Sequence, residues 1–138
     1  MALPDVASKL DRAVGLTLES AEDGRVRLLL EPGEPAVVDE GELTYLHGGA
    51  LATCIDTAAW YAAESAAPSE GAEWVVVTLH MEALRLAGDE PHLVTARCLR
   101  AGRTRAVADV EIATRDDPDR VLTVGRVSLA RAPSAETG

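Results

Sequence analysis

The stretch HGGALATCIDTAAWYAAESAA, residues 47–67, decides the fold. From Gly48 to Ala67 it is small, apolar and long enough for a helix of about five turns. Pro68 to Gly71 ends it. On either side the pattern changes to strands. Upstream, Leu16 and Leu18 alternate with polar residues, Glu22-Asp23-Gly24 marks a turn, and Arg25 to Glu31 completes a hairpin. Downstream come three β-like runs, Trp74 to Leu86, His92 to Arg100 and Thr104 to Thr114, and a last one from Val121 to Ala130. Ala101-Gly102 and Asp116-Asp117-Pro118 punctuate them. The order predicts an α+β fold in which one long helix lies across an antiparallel sheet, since no other element is apolar enough to cover it. The helix is apolar nearly all round, so its far side also needs covering. That points to a second subunit.

The remaining segments are shorter. Pro4 to Val14 reads as an amphipathic helix with Val6, Leu10 and Val14 on one face. Glu31 to Gly41, rich in Pro, Gly and acids, reads as a loop. Residues 1–132 are expected to form a single domain, and 133–138 a polar tail without reason to fold.

With 138 residues, 47% hydrophobic and only 3% aromatic, the core must be built from Val, Leu and Ala. No apolar run reaches the roughly 20 residues that span a bilayer, and the first residues lack a signal-peptide pattern. A formal charge of −10 argues against nucleic acid and anionic membranes as partners. Cys54 and Cys98 sit in apolar stretches without metal-like spacing and read as buried free thiols of a cytoplasmic protein. His47, His80 and His92 are too scattered to suggest a metal site.

One residue interrupts the apolar helix. Asp56 is the only charged side chain between Gly48 and Ala63, and a carboxylate there is costly unless it is hydrogen-bonded or functional. It either caps or faces a wet crevice, or serves as a general base or nucleophile whose pKa its apolar setting raises. The helix opens on His47-Gly48-Gly49. Two glycines there allow close approach to free N–H groups at the positive end of the helix dipole. A carbonyl placed there would be polarised. For His47, an N-cap or loop-fixing role comes ahead of acid–base work.

Leu46-His47-Gly48-Gly49-Ala50 followed by Asp56-Thr57-Ala58 resembles the signature of hotdog-fold acyl-CoA thioesterases, in the branch of the phenylacetate-degradation and hydroxybenzoyl-CoA enzymes. Val75-Val76-Val77-Thr78-Leu79, Leu84-Arg85-Leu86-Ala87 and Ala101-Gly102-Arg103-Thr104 extend the likeness over roughly residues 14–131. The resemblance implies hydrolysis of a small acyl-CoA or acyl-carrier thioester at the interface of a homodimer, or of a dimer of dimers. It implies no cofactor beyond the coenzyme A of the substrate. Asp56 would be the catalytic carboxylate, Gly48 would give its N–H to the thioester oxygen, and His47 would hold the loop. Gly49, Trp60, Gly41, Val76, Thr78 and Arg103 would meet the substrate, Arg103 on the nucleotide side if it is not simply solvated.

Three positions depart from the family pattern. Gly41 stands where relatives carry Asn or Gln, Trp60 where some carry a small hydroxyl residue, and Val76 where some carry Ser. Trp60, one turn beyond Asp56, either fills part of the acyl pocket or belongs to the core. The missing polar groups keep a non-catalytic acyl-CoA binding protein as the alternative. A hotdog hydratase would instead need His80 or His92 beside Asp56.

Overall fold

A computed structural model describes residues 3–69 and 72–133. In chain order these form α1 (Lys9–Val14), β1 (Leu16–Glu22), β2 (Arg25–Leu30), a 3-10 turn (Glu34–Ala36), β3 (Val37–Glu40), β4 (Leu43–Leu46), α2 (Gly48–Ala66), β5 (Ala72–Ala83), β6 (His92–Ala101), β7 (Arg105–Thr114) and β8 (Asp117–Pro133). Six strands make one antiparallel sheet in the order β1-β2-β6-β7-β8-β5, while β3 and β4 pair only with each other.

α2 lies on this sheet as the sequence predicts. Its small residues make the close approach possible: Ala58, Ala59, Ala62 and Ala63 are fully buried. Gly125 on β8 is part of the same fit, because a Cβ there would sit 2.7 Å from Ile55 Cγ2. The helix ends without a glycine cap. Arg131 donates to the carbonyls of Ala67 and Pro68, Trp74 Nε1–H donates to Ala67, and the Arg131 guanidinium lies 4.2 Å over the Trp74 ring. These donors take up carbonyls the last turn leaves unpaired.

Several expectations need correction. The N-terminal helix begins at Lys9, and its buried residues are Asp11 and Val14, whereas Leu10 is 59% exposed. Ser8 caps the helix and Asp11 bonds inward to Thr57, which turns Leu10 outward. The segment 31–41 is not all loop; it contains the 3-10 turn and β3. β8 starts at Asp117, before the expected Val121, but its pairing with β7 jumps from Asp117 to Val121, so Pro118 stands outside the ladder it cannot join. Pro133 still belongs to β8, and the rest of the expected tail lies outside the described residues. Cys54 is buried and Cys98 only half-buried, and both thiols are free.

α2 also hides more of its circumference within one chain than its composition suggests. Between its first residue and its last turn, what remains is a narrow stripe, Gly49, Ala52, Thr53, Asp56 and Trp60, spaced to share one face. Asp56 therefore lies on the open face of the helix, not in the middle of a buried one.

Candidate active site

The site begins where β4 hands over to α2. Leu46 N–H bonds to the Ala87 carbonyl and His47 N–H to that of Ala36, which fixes the chain at the entry to the helix. His47 is the N-cap: its Nδ1 accepts the Gly49 N–H at 2.8 Å and its carbonyl accepts from Ala50 and Leu51. The neutral ring then carries its proton on Nε2.

The two glycines differ in what requires them. A Cβ on Gly49 would stand 2.9 Å from His47 Nδ1, so the cap itself excludes a side chain. A Cβ on Gly48 would meet nothing within 4 Å. The Gly48 N–H has no hydrogen-bond partner among the described residues. At this helix start it is a free donor beside open space.

One turn after another, the exposed stripe of α2 forms one wall of a crevice of about 460 Å³. Gly49, Ala52, Thr53, Asp56, Thr57 and Trp60 supply this wall; Ala7, Ser8, Leu10 and Asp11 supply the opposite one, and Leu79 of β5 closes a side. Trp60 also stands edge-on to Tyr61, ring centroids 5.2 Å apart. Asp56 is exposed to solvent on the open face, and the crevice walls desolvate it in part. That desolvation raises its pKa above the usual 3.8, and the charge of Asp11 raises it further.

Asp11 is the carboxylate that is buried, at 3% exposure. Thr57 Oγ1–H donates to its Oδ1 at 2.6 Å and Ser8 Oγ–H to its Oδ2 at 2.6 Å.

The structure brings Gly49, Asp56 and Trp60 to one crevice, with His47 and Gly48 at the start of the same helix. It does not bring the other expected residues there. Gly41 lies in the β3–β4 turn with φ +79°, a conformation that favours glycine whatever the substrate needs. Val76 is half-buried on β5, and Thr78 is exposed. A β-bulge between Val76 and Thr78 resets the alternation, so the inward positions run Trp74, Val76, Leu79, Met81, and Thr78 is turned out. Arg103 lines a separate shallow depression with Arg131, Pro68 and Ala72, beside the C-terminal end of α2.

Within one chain, the histidines needed by a hydratase do not meet Asp56. His80 lies in a groove with Asp109 and Arg126, and His92 is fully buried with Nε2 2.8 Å from the Gly88 carbonyl. Sequence reasoning missed Asp11, Thr57 and Leu79. Ser8-x-x-Asp11 was readable as a helix start with an acid in its first turn, but nothing local says that this helix packs beside Asp56. The bulge that admits Leu79 leaves no mark in the run of valines.

The match of residues 43–121 to the thioesterase superfamily model establishes that this chain belongs to that family. Among its relatives is the 1,4-dihydroxy-2-naphthoyl-CoA hydrolase of Listeria monocytogenes, 30% identical over 124 residues, which covers 88% of this chain and 94% of that one. The PaaI protein from the phenylacetic acid degradation operon of Escherichia coli superposes with a TM-score of 0.75 at 22% identity, covering 90% of this chain and 84% of that one. A hypothetical thioesterase of Streptococcus pneumoniae, solved with coenzyme A, superposes with a TM-score of 0.72 at 21% identity over 86% of both chains. The fold is the hotdog fold that the sequence resemblance implied.

Proposed function

We propose that the protein hydrolyses acyl-CoA thioesters with Asp56 as the general base. The observation that carries this reading is the placement of Asp56: it is a carboxylate of raised pKa on the open stripe of α2, in a crevice otherwise walled mainly by apolar groups. Asp56 takes a proton from water as the water oxygen adds to the thioester carbon. The carbonyl oxygen, now an oxyanion, accepts the Gly48 N–H and faces the positive end of the helix dipole. Collapse of the adduct breaks the carbon–sulfur bond, and the proton held by Asp56 passes to the departing thiolate. The products are a carboxylic acid and a thiol.

Helix geometry adds a second subunit. Asp56 lies about 12 Å beyond Gly48 along α2 at the usual rise per residue. Both groups must come within about 3 Å of one reacting centre. An Asp side chain is too short to span that gap. Two roughly antiparallel α2 helices, related by a two-fold axis, place Gly48 of one protomer beside Asp56 of its partner, twice. The open surroundings of Gly48 and the uncovered stripe of α2 fit this pairing.

Trp60 and Leu10 make the crevice suited to short or flat acyl groups, and the Listeria relative's hydrolysis of a naphthoyl-CoA favours including aromatic thioesters among them. The test is hydrolysis across a panel of short, long and aromatic acyl-CoAs, followed by released thiol with Cys54 and Cys98 controlled for. At least one acyl-CoA is expected to turn over, with Asp56→Asn reducing the rate about 100-fold or more. Binding of acyl-CoA with no turnover across the panel would instead assign the fold here to acyl-CoA binding.

A further inference from the structure

Asp11 is hard to explain as a stabilising residue. It is a buried carboxylate whose described partners are two neutral hydroxyls, with no cation within ion-pair distance among the described residues. A buried charge without a counter-charge is expensive. As an acid in the first turn of α1 it gains something from the helix dipole, but an exposed acid would gain that without being buried. What burial adds is position. Thr57, one of its two hydrogen-bond donors, is the residue after Asp56, and Asp11 and Asp56 line the same crevice. Tyr61 Oη–H donates to the Pro4 carbonyl, and Leu18 N–H to that of Asp5, so the segment carrying Asp11 is held against α2 and β1 at further points.

We propose that Asp11 is a positioning residue for hydrolysis: tied through Thr57 to the turn of α2 that carries Asp56, it sets a second carboxylate beside the base and strengthens it by like-charge repulsion. This rests on the reading of Asp56 as the base. Among the described residues, Asp11 and Asp56 are the only titratable groups that line the crevice. Cys54 and Tyr61 on α2 also feel Asp11, but burial and that charge push both to about 12, so they stay neutral while Asp56 titrates. The same hydroxyl bridge through Thr57 keeps α1 seated while the two carboxylates repel.

The test follows the carboxyl carbon of Asp56 by NMR through a pH titration of the full-length protein, beside the pH profile of kcat/KM. In Asp11→Asn the Asp56 midpoint should move to lower pH, and the acid limb of the profile should move with it. Thr57→Val removes the bridge but keeps both charges, and should not lower the midpoint. If Asp11→Asn fails to fold, Asp11→Leu paired with Thr57→Val replaces the bonded pair by apolar groups and carries the same expectation. An unmoved Asp56 midpoint in a folded variant overturns the coupling. A midpoint that falls while the acid limb stays put leaves the coupling standing but removes Asp56 as the base, and with it the role of Asp11 in hydrolysis.

Discussion

His47 Nδ1 accepts the Gly49 N–H at 2.8 Å, and this one bond divides the work of the helix start. It consumes the Gly49 donor, leaves the Gly48 donor free, and forbids a side chain at Gly49. Gly49→Ala should therefore unseat the ring even though alanine is the better helix former. We expect both Gly49→Ala and His47→Ala to cost about 1 kcal/mol, the worth of an N-cap, and to lower turnover by loosening the loop. His47→Asn, which keeps a side-chain acceptor, should recover most of both. Urea melts and kcat/KM for the three variants check this. A His47→Asn as slow as Asp56→Asn would mean that the imidazole itself does chemistry.

The raised pKa of Asp56 has consequences of definite sign for rate and stability. As the proposed base it must be ionised, so kcat/KM should rise with pH through a limb lying above the ordinary value of 3.8. Stability runs the other way. The folded chain holds this proton to higher pH than the unfolded chain does, so the favourable contribution is complete below 3.8 and is lost as pH rises through the raised value. Asp56→Asn removes a charge the fold disfavours. Thermal melts should show the variant slightly more stable than the wild type at neutral pH. That gain should vanish well below 3.8. A variant less stable at neutral pH would mark Asp56 as a structural residue.

Trp60 contacts Tyr61 edge-on but is only half-buried, with one side on the crevice. Trp60→Ala should cost about 1–2 kcal/mol, less than truncation of a fully buried tryptophan. It should also broaden the accepted acyl groups toward bulkier chains. The same acyl-CoA panel, run on wild type and variant, decides the point. An unchanged ranking of substrates would place Trp60 in the core alone.

The features written locally in the sequence were the ones that could be read from it. The length and composition of 48–67 specify the helix, its strand neighbours specify the sheet, and the spacing of His47, Gly48, Gly49 and Asp56 specifies which groups share a helix. Asp56 to Trp60, one turn apart, could be placed on one face by geometry alone. Long-range relations were not legible. That Asp11 reaches Thr57 depends on the packing of α1 against α2, and an acid near a helix start has an ordinary local explanation. The outward turn of Thr78 is set by a bulge, which reverses the phase of a strand without a distinctive residue. Spacing alone puts Leu10 on the apolar face of α1, but the inward bond of Asp11 to Thr57 rotates that face away. Arg103 followed the family pattern, yet within one chain it sits at the far end of α2 from Gly48.

The central claim is that Gly48 and Asp56 of different protomers make one site, and complementation tests it most directly. Gly48→Pro deletes the N–H at a first helical position, where proline is tolerated and where a Cβ would meet nothing within 4 Å. Asp56→Asn deletes the base. Each homodimer should be nearly inactive. In a mixed dimer of the two variants, one site carries both lesions and the other carries neither, so co-expression or joint refolding should restore activity up to one intact site per mixed dimer. Mixed dimers confirmed by mass that remain inactive would contradict the account, since the two groups would then not meet across the interface.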